Sequence, residues 1–251
     1  MTEAFESIFK TKLAELLRTN RFGKSIYVFN ELDSTQDYAN ALPITESVHG
    51  TIVIARKQNV GKGRIGRSWI SPEGGLWMSI VIRPDFSADN IIFTQFIAAL
   101  AVADAIQQAT NIRSRLKWPN DVLINEKKVC GILVDVNLES RESRDKKIVM
   151  GLGLNANIES SLINNYLTAD TTKATSLKEE YGNDIDLVNL TKSIVDRIEY
   201  YYNFLSSGKA LEIIELWKQN SDMFGRRAIV YDGIKKIMGD VVDIDQDGSL
   251  I

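Results

Sequence analysis

Three β-like runs, Ser114–Lys117, Asp121–Ile124 and Val129–Val136, follow one another with only residues 118–120 and 125–128 between them, and no other feature restricts the fold so sharply. Parallel neighbours need a crossover of a dozen or more residues, so connections this short demand antiparallel pairing. The second and third runs read as a hairpin turning through Asn125–Lys128. Around them lie further strands. Ile26–Phe29, Thr51–Arg56 (TIVIAR) and Ile148–Leu154 have strand length and composition, and Leu76–Arg83 (LWMSIVIR) is so continuously apolar that it belongs at a sheet centre. Apolar residues at helical spacing predict helices over 4–18, about 90–109, 187–205 and 209–219; Ser34, with Asp37 three residues on, starts another over Thr35–Leu42. The expectation is an α+β fold, a mixed, largely antiparallel sheet with helices packed on one face.

After Phe224 the texture changes. Strand runs broken by Asp-Gly at 232–233 and 247–248 carry the chemistry of tight hairpins, so residues 223–251 are expected to form a small β-barrel domain after a main domain of 1–222. Ile251 falls where a strand should continue, so this barrel is either short or cut. The formal charge of −3, from 30 basic and 33 acidic residues, excludes a general attraction to nucleic acid. Anion chemistry must therefore come from a local basic cluster. Cys130 is the single cysteine, which rules out an internal disulfide and fits a reducing compartment. The first residues carry acids and lack the apolar core of a signal peptide, and no apolar run reaches the roughly 20 residues of a bilayer span. A cytoplasmic protein with no membrane partner is expected.

The densest cluster is RKQNVGKGRIGRSW, residues 56–69. Gly61, Gly63 and Gly66 satisfy the dinucleotide-binding pattern, and the stretch nearly matches a P-loop, yet a Ser-Trp-Ile-Ser-Pro run and another strand follow instead of the helix both require. What remains is a loop whose glycines let backbone amides approach a ligand while Lys62, Arg64 and Arg67 hold negative charge. The plain alternative is a basic surface turn. A second cluster, LKWPNDVLINEKKVCGILVD (116–135), puts Asn120 and Asp121 at a strand start, where they reach phosphate oxygens or Mg²⁺, with Lys128 and Gly131 on the returning arm; as structure alone it is turn chemistry and a surface lysine. The third, GLGLN (151–155), alternates glycines in a buried strand, leaving backbone bare for a flat ligand or marking a bulge.

Ser34-Thr35-Gln36, Gln58 with G-K-G-R-x-G-R-x-W, K-W-P-N-D, K-V-C-G-I-L-V and G-L-G-L-N stand in the order and spacing of the biotin–protein ligase catalytic domain, and from about Ile26 onward the chain resembles that family. The resemblance implies a sheet of the class II synthetase and biotin–lipoate ligase kind with an SH3-like C-terminal barrel. It implies ATP, biotin and Mg²⁺ as reactants and cofactor, and a biotin carboxyl carrier domain as partner. Only about 25 residues precede Ile26, so the DNA-binding domain of the repressor members is not expected. The family includes monomers and homodimers, the latter pairing through edge strands.

By the same resemblance, Ser34, Thr35 and Gln58 contact biotin's ureido and ring atoms, and Gly61, Lys62 and Arg64 belong to the loop that closes over biotin and the adenylate. Lys128 touches the biotin carboxylate and α-phosphate; Gly131, Gly151 and Gly153 form the backbone floor. Arg64, Arg67, Trp69, Asn120, Lys128 and Asn155 lie on the nucleotide side, Asn120 with Mg²⁺, and Asp121 orients or deprotonates the carrier's lysine. Three positions depart from the common pattern: Lys62 replaces Arg and keeps the charge without the fork, Gln36 replaces Asn, and Cys130 a small residue. Joining a carboxylate to ATP sets two anions together, which preorganised cations relieve, and needs no nucleophilic side chain. His49, the only histidine, is read as structural or exposed, and the polar stretch 156–183 as shaping the adenine end. A lipoate or octanoate enzyme of the same fold would need no ureido-binding Ser-Thr and Gln. A non-catalytic biotin binder would have no use for Lys128, Arg64 and Asn120 together.

Overall fold

Alternating burial along the strands gives this chain two working faces, one for the core and one for the site. A computed structural model describes residues 2–43, 45–46, 48–137, 146–167, 172–232 and 235–251. Seven strands form one sheet in the order β1 (Ile26–Leu32), β2 (Ile52–Gln58), β3 (Leu76–Ile82), β7 (Lys147–Leu154), β6 (Lys127–Asn137), β5 (Asp121–Ile124) and β4 (Arg115–Lys117). Only β1 and β2 are parallel; every other pair is antiparallel, as the short connections require. The expected hairpin turns at Asn125 and Glu126, both at positive φ (50° and 61°), the conformation a two-residue hairpin loop needs.

One face of the sheet carries Ile54, Met78, Ile80, Met150, Leu152 and Ile132, all buried. The long helices cover it: α1 (Thr2–Leu16), α3 (Phe93–Thr110), α6 (Leu187–Ser206) and α7 (Ala210–Gln219). In α3, the small residues Ala98, Ala99, Ala101 and Ala105 are all buried in this core. The segment Ala88–Thr110 has the length and apolarity of a membrane span, contrary to the reading of the sequence, but most of it is buried inside the fold as a core helix. The expectation of helices on one face also needs correction. The short helix α2 (Thr35–Ala41) lies on the opposite face, where Ala39 and Leu42 pack on Val53, Val81 and Val149. The reason is in the strands: β3 is buried at every position, and a strand apolar on both sides needs a cover on both.

At the C-terminal end, β8 (Arg227–Asp232) and β9 (Lys235–Asp240) form a two-stranded antiparallel sheet, and Ile244 bridges to Leu250 around a turn at Gly248. The Asp-Gly turn expected at 232–233 falls at the edge of the described residues. Trp118 Nε1 donates to Gly248 O at 3.0 Å, tying this segment to the β4–β5 connection.

Glu199 of α6, nearly buried, accepts from the backbone N–H groups of Asn20, Arg21 and Phe22 and so fixes the link from α1 to β1. Beside it, His49 packs against Phe22 and Tyr202, with Nδ1 2.9 Å from Arg83 O. Its role is structural, as read. Burial holds the imidazole below its usual pKa. The unfolded chain therefore takes up the proton first: this contribution is complete above about pH 6.5 and is lost as pH falls. Urea unfolding at about pH 7.5 and about pH 5.5 should show a smaller difference in midpoint for His49→Gln than for wild type; equal differences would exclude His49 as the source.

Candidate active site

Gly131 of β6 pairs directly with Gly153 of β7, in a row across the sheet that also holds Ala55, Trp77 and Asp121. With no side chains, the two glycines expose backbone on the face away from the helical core. The indole of Trp69 lies on that bare patch. A methyl added to Gly131 would come within 2.8 Å of its ring, and one on Gly153 would run into its nitrogen. The indole N–H is buried and has no partner among the described residues. Gly151 differs: the side chain above it is Gln36, whose Oε1 a methyl there would meet at 2.5 Å.

Lys128 reaches over this floor. Its Nζ lies 5.0 Å from the Trp69 ring centroid and 2.6 Å from Asp121 Oδ1, and both members of that ion pair are mostly buried. Residues 173–175 hold its backbone: the Lys128 N–H donates to Lys173 O and Thr175 N–H donates to Lys128 O. This is what the polar stretch 156–183 does among its described residues, alongside the short helices Ser161–Asn164 and Leu177–Tyr181.

The basic loop leaves β2 and returns at Ser71, closed at its base by Gln58 N–H to Ser71 O and Trp69 N–H to Gly61 O. Gly61 sits where a side chain would collide with Ser71 Oγ. At the tip, Ile65 is 80% exposed and has φ 55°, a strained conformation for a β-branched residue. The expected cations are here but divided. Lys62 pairs with Asp37 of α2, Arg64 Nη1 donates to Asn120 Oδ1 at 3.3 Å, and Arg67 is exposed, joining the loop through its backbone.

A polar wall stands beside the floor. Ser34 caps α2, accepting from Asp37 N–H. Gln58 Oε1 accepts from Thr35 N–H at 2.8 Å, and Gln58 Nε2 donates to Ser71 Oγ at 2.8 Å. On the other side, Asn155 is buried; its Nδ2 donates to Thr175 O, while its Oδ1 has no partner among the described residues. Asn120 Nδ2 donates to Ile132 O, leaving its Oδ1 toward Arg64. Among the described residues no three His, Cys, Asp or Glu side chains group as a metal cage. Asn120 Oδ1 can offer one oxygen to a Mg²⁺ that phosphates and water otherwise hold. The Cys130 thiol is buried, and burial pushes it up to about 12, so it is no nucleophile at neutral pH.

The arrangement gathers Lys128, Asp121, Trp69, Gly131 and Gly153 in direct contact, with Arg64 joined through Asn120 and with Thr35 and Gln58 alongside. Sequence reasoning missed Ser79, Ser71, Asp135, Asn40 and Thr175. The one signal was Ser79, a hydroxyl in an otherwise apolar run, which burial requires to be bonded.

Known proteins carry the same pattern. The model of the biotin/lipoate A/B protein ligase family matches residues 28–155. The chain is 34% identical over 238 residues to the bifunctional ligase/repressor BirA of Bacillus subtilis (strain 168), covering 94% of this chain and 71% of that one. It is 31% identical over 222 residues to the biotin–[acetyl-CoA-carboxylase] ligase of Paracoccus denitrificans, covering 87% and 90%. Among solved structures, the biotin protein ligase from Aquifex aeolicus in complex with biotin and ATP aligns with a TM-score of 0.76 at 28% identity, over 90% of each chain. The chain belongs to the biotin/lipoate A/B protein ligase family. Two of the relatives just named, those of Paracoccus denitrificans and Aquifex aeolicus, are biotin ligases of that family by name.

The contact between Trp69 and the glycine floor is open to test. Gly153→Ala should cost about 1–3 kcal/mol in urea unfolding, as overpacking does. Gly239→Ala, where an added methyl meets nothing within 4 Å, serves as the control and should cost less. Equal costs would mean that Trp69 does not lie on β7.

Proposed function

We propose that this chain is a biotin–protein ligase: it joins biotin to ATP as biotinyl-5′-AMP, releasing pyrophosphate, and then passes the biotin to a lysine of a biotin carboxyl carrier domain. The observation that carries this reading is the convergence of Lys128, Asp121, Arg64 and Asn120 at the margin of the Gly131–Gly153 floor. The glycine floor is not bare, as the sequence suggested, but covered by Trp69 and Gln36; an acyl group laid against Trp69 would bring its carboxylate to Lys128 and Arg64. The named relatives support the same activity.

In the first step a biotin carboxylate oxygen bonds to the α-phosphorus of ATP as the bond to pyrophosphate breaks. Lys128 and Arg64 neutralise charge where the five-coordinate phosphorus gathers it. Lys128 is held by Asp121, so an incoming anion takes Asp121's place. In the second step the carrier's amine attacks the acyl carbon, AMP leaves, and the amine's proton goes to a base. We assign that proton to Asp121, freed from Lys128; their ion pair supports the reading. Ser34, Thr35 and Gln58 bind the ureido ring, with Gly61 and Lys62 in the covering loop. Trp69, Arg67, Asn120 and Asn155 serve the nucleotide, the unused Asn155 Oδ1 as an acceptor for an amino group such as adenine's. Mg²⁺ would neutralise phosphate charge, with Asn120 as its protein oxygen. The strained loop tip supports movement of Arg64 on closure, which keeps water from the mixed anhydride.

Residues 223–251 we assign to a small SH3-like barrel domain of which β8 and β9 form part. Among the described residues β5 borders β6 only as far as Gly131, which leaves the stretch to Asn137 with an edge on which a homodimer could pair. The net charge of −3 argues against a DNA partner, and a reduced, buried Cys130 suits the cytoplasm.

Lys128→Ala should lower biotin-driven ATP–pyrophosphate exchange by about 10²–10³, the size of losing one transition-state donor; an unchanged rate removes Lys128 from the mechanism. Arg64→Gly should loosen the loop, so that adenylate escapes and labels bystander proteins. A biotin blot of mixed unrelated proteins reads this out, and labelling confined to the carrier would refute it.

A further inference from the structure

The cross-strand row that carries the glycine floor runs on past Asp121 to the edge of the sheet. Gly153 pairs with Gly131, Gly131 with Asp121, and Asp121 with Lys117 of β4. Residues directly opposite each other on paired strands share a face. Leu116 and Val122, also opposite each other, are buried in the helical core, so Lys117 and Asp121 stand on the site face. Strands lie about 4.8 Å apart, which sets Lys117 one such step beyond Asp121, on the side away from the floor. Its ammonium donates to Thr172 Oγ1 at 3.1 Å, next to Lys173, whose carbonyl accepts from the Lys128 N–H. Asp121 is already engaged by Lys128 at 2.6 Å. The row therefore ends on a half-buried cation that, among the described residues, is bonded to a hydroxyl and paired with no carboxylate. A hydroxyl does not neutralise an ammonium; phosphate oxygens do.

We infer that Lys117 binds the β- and γ-phosphates of ATP and neutralises the pyrophosphate they become. This rests on the ligase reading of the site and assigns a contact to the leaving group. In the first step a biotin carboxylate oxygen bonds to the α-phosphorus, and the bond from that phosphorus to the bridging oxygen breaks. The bridging oxygen keeps the electron pair and departs as part of pyrophosphate. Attacking and leaving oxygens stand roughly in line. The carboxylate arrives from the Gly131–Gly153 side, so the leaving group departs across Asp121 toward β4, where Lys117 stands. Lys128 and Arg64 meet the charge at the α-phosphorus, and Lys117 meets the charge that moves one phosphate further on. No proton has to be transferred, because pyrophosphate leaves as an anion and an ammonium holds it.

Biotin-driven ATP–pyrophosphate exchange on the intact chain, run over a range of pyrophosphate concentrations, tests this. Lys117→Met keeps the length of the side chain and removes its charge; the KM for pyrophosphate should rise roughly 10–100-fold, the size of a hydrogen bond between charged groups. Lys117→Arg keeps the charge and should return most of that affinity. Calorimetric titration with biotinyl-5′-AMP supplies the contrast. That compound carries no pyrophosphate, so Lys117→Met should bind it as tightly as wild type does. A lysine that merely ties β4 to Thr172 would, on removal, weaken biotinyl-5′-AMP as much as pyrophosphate, and that result overturns the inference. Should Lys117→Met fail to fold, Lys117→Gln replaces it in both measurements. Wild type without biotin-dependent exchange overturns the ligase reading and this inference together, whereas wild-type exchange with an unmoved KM for pyrophosphate in Lys117→Met overturns this inference alone.

Discussion

The contact of the Trp69 indole with the paired backbones of Gly131 and Gly153 is the constraint on which the site depends. It exists only if β6 and β7 meet in one register, and the opposite face enforces that register. Ile132, Leu152 and Leu154 are buried under the helices between the site's glycines. A slip of one residue would turn these side chains out of the core and the glycines into it. The core thus positions a site it does not touch. Burying the apolar set stabilises the fold and, by parity, aligns the bare backbone.

Charge at the site is balanced within the protein. Lys128 has Asp121, Lys62 has Asp37, and Arg64 has the amide oxygen of Asn120. The Lys62–Asp37 pair is half exposed, and such pairs contribute little, about 0–1 kcal/mol, so an anion can displace them cheaply. The Lys128–Asp121 pair is more buried and must be exchanged for a stronger partner. A phosphate or carboxylate is such a partner. On the proposed reading, this graded arrangement would let a chain of net charge −3 collect anions at one place without being cationic overall.

Much of the sheet could be read directly from residues. Asp121–Ile124 came out with its observed bounds, and the other main-sheet strands and the helices differ at their ends by a few residues. Hairpin spacing and apolar periodicity are local, which is why they were legible. The errors were errors of partnership. Leu76–Ile82 is apolar on both sides, which signalled two covers, yet which helix supplies the second is not a property of the strand. The apolar stretch around α3 has a membrane-like composition, and only its surroundings make it a core helix.

The same division runs through the site. The basic loop, the lysine hairpin and the alternating glycines were visible in the sequence, because closeness to backbone requires glycine and anions require cations, whatever the fold. That Gly153 lies under Trp69 while Gly151 lies under Gln36 was decided by the register of three strands. Asp135 drew no notice, and Ser79 signalled only that its hydroxyl must be bonded, since a single polar residue in an apolar run does not name the partner set opposite it. The sequence by itself determined the residue types and the antiparallel topology, through local sterics and hydrophobic period. Tertiary structure alone decided which hydroxyl faces which carboxylate, because hydrogen bonds act over about 3 Å and join residues tens of positions apart.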